Sequence, residues 1–295
     1  MTIGRAGALA AGVLLTLLAA GAAPGPAVGL TVRVVPDQPR PGDVVLLQVE
    51  GAPPELAGEW NGRPLAFFPV PGGLAALVGV DFETPAAPLA WRLVQPMASG
   101  GQLVVGAGSV PVQPRHFETQ HLTLPPGQVD LDPKTLARVR AEQAELAVAI
   151  GASAGERLWQ GAFQKPIDGG RATGGFGLRR IINRQPRSPH SGYDWAAPRG
   201  TPVLAVNAGR VALVGEHFFP GRLVVLDHGL GLFTLYFHLH EARVAPGERV
   251  RRGHSIGTVG ATGRATGPHL HLGVTLGGAR VDPLALLALS PPDGS

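Results

Sequence analysis

Two histidines that flank a single leucine are the first candidates for chemistry in this sequence. His269 and His271 lie in a segment typical of a β-strand, with Leu270 between them. Residues two apart on a strand face the same side and lie about 7 Å apart along the backbone. The intervening leucine, with Leu272 and Val274, is expected to face the core. Both imidazoles therefore point into one place, where a metal ion and the water that it activates would use them.

A histidine and a carboxylate four residues apart, His190 and Asp194, form a second candidate pair. On a straight strand their side chains would lie about 13 Å apart. That is too far for two ligands that each bind one ion at roughly 2.0–2.2 Å. Gly192 between them would permit a bend. From spacing alone the pair also fits an exposed loop histidine and an aspartate that makes a turn.

A third imidazole, that of His238, follows a predicted strand at residues 232–237. Alternation predicts that Thr234, Tyr236 and His238 share a face, so this histidine is expected to reach the same cavity from a neighbouring strand. Two histidines and one carboxylate on zinc, with a fourth position for water, make a hydrolytic centre. The remaining histidines would act as a general base and a transition-state donor.

The motifs that contain these residues resemble the lysostaphin/LytM-type zinc metallopeptidases, a family of peptidoglycan endopeptidases. The resemblance covers about residues 163–285, and the motifs occur in the family's order. They are Gly175-Phe-Gly-Leu-Arg179, His190-x-Gly-x-Asp194, Gly200-Thr-Pro-Val203, Asp227-His-Gly229, Tyr236-x-His238-Leu239, Gly260-x-Thr-Gly263 and Gly267-Pro-His-Leu-His271.

The resemblance implies zinc as the cofactor, with His190, Asp194 and His271 as its ligands. It also implies that His238 and His269 are the catalytic pair. In the implied mechanism zinc and one histidine activate water for attack on a peptide carbonyl, and the second histidine helps to stabilise the tetrahedral oxyanion. The substrate that the resemblance implies is a peptide of peptidoglycan.

The chain departs from the family upstream of the first ligand, where members often carry a tyrosine and this sequence has Asn183 and Arg184. Its other histidines match no ligand position and are interpreted as structural or surface residues. They are His116, His121, His217, His228, His240 and His254, of which His240 is expected to lie nearest to the site.

The amino-acid composition excludes several other kinds of site and partner. Cysteine is absent from the 295 residues, which excludes disulfides, cysteine-ligated metals and thiol catalysis and leaves His, Asp and Glu as metal ligands. The 25 basic and 21 acidic residues give a net charge of only +4. Without a lysine- or arginine-rich run, no nucleic-acid partner is predicted. The loose group of Arg179, Arg180, Arg184 and Arg187 is interpreted as part of a solvated loop.

The N-terminus has the pattern of a secretory signal peptide. Arg5 precedes an uncharged run at residues 6–23, followed by small residues and prolines up to Gly29. The run is also long enough for a minimal membrane anchor, but its alanines and glycines favour cleavage, after Ala22 or after Gly29. We therefore expect a signal peptide at residues 1–29, export to the periplasm, cell envelope or exterior, and membrane contact only through an uncleaved signal anchor.

The rest of the chain is predicted to be mainly β. Residues 30–125 contain short strands at 31–35, 44–49, 74–80, 89–94 and 103–105, with a hairpin signal at Asn61-Gly62, which favours a β-sandwich-like domain. Residues 126–157 are predicted to form a helical linker, because Asp132 and Pro133 suit a helix start and Gly151 suits its end. The predicted helix covers about five turns at 133–150.

Residues 158–290 are predicted to form an antiparallel β peptidase domain, because glycines are frequent and helix-length periodic runs are lacking. Its predicted strands lie at 202–205, 210–214, 223–227, 232–237 and 269–275.

The function predicted from these features is that of an exported zinc endopeptidase that hydrolyses peptide cross-links or bridges of peptidoglycan. The alternative is a non-catalytic LytM-type binding module that activates another wall hydrolase, a class that typically lacks the zinc ligands retained here. The bond that is cut, the oligomeric state and the role of the N-terminal domain, whether inhibitory, targeting or partner-binding, stay open at this level.

Overall fold

The computed structural model describes residues 29–289, which are mainly β-structure with two α-helices. The predicted signal peptide lies outside the described residues except for Gly29. Neither helix of residues 29–289 is long and apolar enough to cross a bilayer.

Nine strands of the described residues precede the first α-helix. They are β1 (Thr31–Val35), β2 (Val44–Glu50), β3 (Ala57–Trp60), β4 (Arg63–Pro64), β5 (Phe67–Val70), β6 (Gly73–Gly79), β7 (Leu89–Pro96), β8 (Gln102–Val110) and β9 (Thr119–Leu122). Two four-stranded sheets, ordered β1-β2-β6-β5 and β4-β3-β7-β8, pack as the predicted sandwich. Asn61 and Gly62 join β3 to β4 with φ angles of 47° and 77°, as a type I′ hairpin turn requires.

Strand β2 is buried on both faces over residues 44–47, which explains the four consecutive apolar residues there. Val45 and Leu47 pack into the sandwich core. Val44 and Leu46 point the other way and share a second core with residues of the C-terminal half, including Trp159. The first sheet is therefore a middle layer between the second sheet and the C-terminal half.

The linking helix α1 (Pro133–Gly151) begins and ends close to where the sequence predicts. The Asp132 side chain accepts hydrogen bonds from the backbone N–H groups of Lys134 and Thr135, as an N-cap does. Leu146 and Ile150 pack against the C-terminal sheet. The helix therefore lies on the C-terminal half of the molecule.

The C-terminal half of the described residues contains twelve further strands and the short helix α2 (Pro283–Leu287). The strands are β10 (Arg171–Gly174), β11 (Arg179–Ile182), β12 (Gln185–Arg187), β13 (Gly192–Ala196), β14 (Pro202–Leu204), β15 (Gly209–His217), β16 (Gly221–Asp227), β17 (Leu232–Ala242), β18 (Arg249–Val250), β19 (Ser255–Val259), β20 (His269–Leu276) and β21 (Ala279–Val281).

The main C-terminal sheet has the strand order β10-β13-β20-β17-β16-β15-β18, with antiparallel neighbours. One of its faces carries the core, where Leu270, Leu272 and Val274 lie as predicted. Strand β9 leaves the sandwich and pairs in parallel with β11. The sheet thus has one apolar face toward the sandwich, and its other face carries α1.

Candidate metal centre and groove

Strands β13 and β20 place the first two candidate ligands opposite each other. Their antiparallel register pairs Asp194 with His271, so both side chains leave the sheet on the same face. The Asp194 Oδ1 atom lies 2.8 Å from His271 Nδ1. The pairing of two strands far apart in sequence therefore creates the first half of the cluster.

His190 completes the cluster from the segment that precedes β13. Its Nε2 atom lies 3.1 Å from Asp194 Oδ1 and 2.9 Å from His271 Nδ1. The 13 Å separation expected on a straight strand does not arise, because His190 precedes the strand. Gly192 has no left-handed φ; it makes room, since a Cβ atom there would lie 2.5 Å from His271 Nε2.

The three possible ligand atoms lie within 4.8 Å of one another, and all three residues are buried. Burial alone would raise the pKa of Asp194, but its contacts with His190 and His271 hold it well below its usual range. Burial lowers the pKa of His271 to about 4. A bound metal ion requires an ionised carboxylate and neutral imidazoles, and two histidines with one carboxylate form a donor set that fits zinc.

A backbone carbonyl sets the tautomer of His190. Its Nδ1 atom lies 2.7 Å from the carbonyl oxygen of Gly175, so Nδ1–H donates and the Nε2 lone pair faces the cluster. Such outer contacts orient metal-binding histidines in proteins.

His238 and His269 lie side by side at the cluster, with ring centroids 4.6 Å apart. His238 Nδ1 donates to the carbonyl of Thr262 at 2.9 Å, and His269 Nδ1 donates to that of Gly267 at 2.8 Å. Burial, followed by the charges of His269 and His271, lowers the pKa of His238 to about 3. In the neutral form of each ring the lone pair therefore lies on Nε2.

The prediction that Thr234, Tyr236 and His238 share a face is wrong. Tyr236 packs in the core, and its hydroxyl accepts a hydrogen bond from the Val206 N–H at 3.0 Å. Between Tyr236 and Leu239, β17 contains one residue more than its partner β16, and His238 has a φ of 61°. This β-bulge turns the imidazole away from the core and onto the face of the metal cluster.

The cluster lies in a groove of about 490 Å³. One wall comes from segments before the C-terminal half, with Gln120 and Leu122 of β9 and Gln143 and Leu146 of α1. Helix α1 therefore lies beside the groove.

Two arginines that were not predicted as site residues, Arg180 and Arg264, line the groove, and for Arg180 the solvated-loop interpretation is wrong. Its side chain on β11 is 23% exposed and lies 3.8 Å from Asp194 Oδ2. The Arg264 guanidinium lies 4.1 Å from the centre of the Phe219 ring. Side chains alternate between the two faces of a strand, so Arg180 lies on the same face of β11 as the buried Ile182. This alternation is the sequence signal that could have identified Arg180.

Asn183 and Arg184, at the position where the family often has a tyrosine, form the turn between β11 and β12 with φ angles of 50° and 66°. The Asn183 side chain bonds both the N–H and the carbonyl of Leu124. It therefore holds the chain beside the groove and offers no group to the cluster.

The other histidines lie outside the cluster. His228 is buried and bonds the carbonyl of Ala208 and the hydroxyl of Thr234. His217 bonds Glu145 of α1 at 2.9 Å. His240 lies against Arg199, and His116, His121 and His254 are exposed.

The sequence and the structure both match known proteins. Peptidase family M23 matches residues 188–283. A crystal structure assigned to peptidase M23 from Pseudomonas aeruginosa aligns with a TM-score of 0.67 and 33% identity, over 85% of this chain and 95% of that one. The peptidoglycan DD-endopeptidase ShyA of Vibrio cholerae is 41% identical over 126 residues, which are 42% of this chain and 29% of ShyA.

A third relative, the DD-carboxypeptidase/endopeptidase Mpg of Neisseria meningitidis, is 37% identical over 132 residues, covering 40% of this chain and 30% of Mpg. The chain thus spans less than a third of the length of these two curated relatives.

The fold and the site define a class of antiparallel β-proteins with a His–Asp–His cluster in an open groove. The similarity extends along almost the whole P. aeruginosa structure, so it identifies one family within this class. The chain belongs to peptidase family M23, a family of metallopeptidases.

Proposed function

We propose that this protein is a zinc-dependent endopeptidase that cuts peptide cross-links or bridges of peptidoglycan. The observation that carries the proposal is the convergence of His190, Asp194 and His271 within 4.8 Å in a groove that also holds His238 and His269. The name of ShyA, a peptidoglycan DD-endopeptidase, supports peptidoglycan as the substrate, and the name of Mpg, a DD-carboxypeptidase/endopeptidase, supports cleavage of a peptide.

In this proposal His190 Nε2, Asp194 Oδ1 and His271 Nδ1 hold the metal ion. When bound, zinc supplies Lewis-acid polarisation of a peptide carbonyl and of a water nucleophile. His238 and His269 each have Nδ1 bound to a carbonyl, which leaves Nε2 of each ring for the reaction. One accepts the proton of the attacking water, and the other, once protonated, donates a hydrogen bond to the oxygen on which charge develops.

We further propose residues 158–290 as the catalytic domain, 30–125 as the sandwich domain and 126–157 as the linker, with export directed by residues 1–29. A substrate in the cell wall supports export, because the wall lies outside the cytoplasmic membrane. The non-catalytic alternative is disfavoured, since all five candidate residues are retained and meet in one groove.

Metal content tests the ligand set. We expect about one zinc per purified chain and loss of most of it in Asp194→Ala and His271→Ala, because each change removes one of three protein ligands. His254→Ala, which changes an exposed histidine, is the control. Stoichiometric zinc in both ligand variants, measured by elemental analysis, would refute the ligand assignment.

Digestion of purified peptidoglycan, with mass spectrometry of the new termini, tests the reaction. His269→Ala and His238→Asn are expected to keep zinc and the fold but lose roughly 10²–10⁴-fold in rate, the usual scale for proton-transfer groups. Asparagine is chosen at position 238 because it tolerates the left-handed backbone better than alanine. Normal hydrolysis by either variant would remove that histidine from the catalytic pair.

A further inference from the structure

Two guanidinium groups line the groove, and among residues 29–289 neither has a carboxylate to itself. Arg264 rests on the Phe219 ring and makes no ion pair among the described residues. Arg180 approaches only Asp194, at 3.8 Å, and its buried Nε atom has no hydrogen-bond acceptor. Both side chains line the groove that holds the histidines.

This arrangement is unfavourable in the free protein. Burial, followed by the charges of Arg180 and Arg187, lowers the pKa of Arg264 to about 10. An added anion stabilises two partly desolvated cations more strongly when the cations repel each other.

Asp194 cannot serve as that anion. It is the sole carboxylate among the described residues that line the groove. Its Oδ1 atom is shared with both histidines of the cluster, and a bound divalent cation would neutralise it further. The groove therefore keeps two unmatched positive charges beside the metal centre.

We propose that Arg180 and Arg264 form a subsite for a free carboxylate of the peptide substrate, next to the bond that is cut. The inference rests on the proposed peptidase function. A guanidinium presents a planar fork of donors that matches a carboxylate, and both Arg180 and Arg264 line the groove. The neighbouring side chains Leu122, Leu124 and Phe219 suit the apolar parts of a peptide.

The carboxylate could come from two places in such a substrate. It is either the C-terminal carboxylate of the residue released by the cut, or the carboxylate of a stem residue within a cross-linked dimer. Both bind the same pair of guanidinium groups, and paired probes distinguish them.

The test compares acids with amides. One pair is a linear peptide that ends in D-alanyl-D-alanine and its C-terminal amide. The other is a cross-linked peptide dimer isolated from peptidoglycan and the same dimer with its carboxylates converted to carboxamides. The zinc-loaded full chain is expected to prefer the acid in one pair by roughly 10- to 100-fold in kcat/KM, the scale of one charge-assisted hydrogen bond.

Arg180→Ala and Arg264→Ala are each expected to reduce that preference toward unity while zinc content is unchanged. Arg179→Ala is the matched control, because this neighbour on β11 is exposed and points to the other face of the strand. If Arg180→Ala does not fold, the acid preference of Arg264→Ala alone tests the subsite.

Binding gives a readout that does not need hydrolysis. In a zinc-loaded His269→Ala background, calorimetry with the same probes is expected to show tighter binding of the acid, lost when Arg264 is also replaced by alanine. Equal binding of acid and amide in both pairs, or a preference that survives both arginine variants, would overturn the subsite. Failure of the wild-type protein to cut any probe would instead contradict the proposed function. In that case the binding of acid and amide still shows whether the subsite exists.

Discussion

At the scale of single residues, backbone carbonyls decide what each histidine can do. The carbonyl oxygens of Gly175, Thr262 and Gly267 each accept a hydrogen bond from the Nδ1 atom of one imidazole. The lone pair of Nε2 is then free, for a metal ion in His190 and for a proton in the other two. Residue type alone does not separate these roles, because the acceptor is a main-chain group that every residue carries.

His228 shows the opposite use of the same side chain. It is fully buried, and burial lowers its pKa to about 4. Its ring bonds the Thr234 hydroxyl, which bonds the hydroxyl of Tyr236 at 3.1 Å. The neutral ring thus completes a chain of satisfied polar groups inside the core.

Acid is therefore expected to destabilise the fold through His228. The unfolded chain binds the proton near the ordinary pKa of about 6.5, whereas the folded chain does so near 4. Stability is fully present above the higher value and falls as the pH drops toward the lower one, by on the order of 2 kcal/mol between about pH 7 and about pH 4.5.

Urea unfolding of the metal-free protein at the two pH values measures this loss. His238 and His271 also have lowered pKa values and contribute with the same sign. The informative quantity is thus the difference between wild type and His228→Gln, which cannot titrate at this position. An identical pH dependence of the two proteins would contradict the role given to His228.

At the scale of elements, the segment that follows α1 is tied to the β16–β17 turn by one carboxylate. Asp227 is fully buried. It accepts hydrogen bonds from the Ser153 hydroxyl and from the backbone N–H groups of Ala154 and Gly229, each at 2.8 Å. This connection helps to hold the groove wall formed by α1 on the sheet.

Asp227→Ala is expected to lower the free energy of unfolding by about 3 kcal/mol, because it leaves several buried donors without an acceptor. Asp227→Asn keeps one acceptor oxygen and should cost less. Urea denaturation measures both changes. Asp130→Ala, at a carboxylate whose side chain is 62% exposed, is the control and should change stability by less than about 0.5 kcal/mol. A loss for Asp227→Ala no larger than for this control would show that the connection is dispensable.

At the scale of the whole molecule, the sandwich and the C-terminal half share one core. Phe68 of β5 meets Trp159 edge to face, with ring centroids 5.5 Å apart. Arg280 pairs with Asp81 at 3.0 Å and with Glu83 at 2.7 Å across the same boundary. This continuity makes independent unfolding of the two halves unfavourable.

We therefore expect one cooperative unfolding transition, and a Phe68→Ala variant that is about 3–4 kcal/mol less stable in that single transition. Circular dichroism in the far and near ultraviolet, recorded along one urea titration, should give coincident curves. Val148→Ala, at a side chain 73% exposed, is the control. Two separate transitions, with only one shifted by Phe68→Ala, would contradict a shared core.

Local and periodic signals in the sequence were sufficient for the mainly β class, the helix from Pro133, the Asn61-Gly62 turn and the core face of Leu270. Each depends on residues within a few positions of one another, where propensity and alternation act directly. The ordered motifs also indicated the peptidase family, which the comparisons confirm.

The tertiary structure alone decided how these parts meet. His190 and His271 are 81 positions apart, and their contact depends on the pairing of β13 with β20 and on the space left by Gly192. An unpaired residue in β17 turns His238 toward the groove against simple alternation, and β11 carries Arg180 into it. Register, bulges and long-range packing are set by contacts between distant strands, so no local pattern contains them.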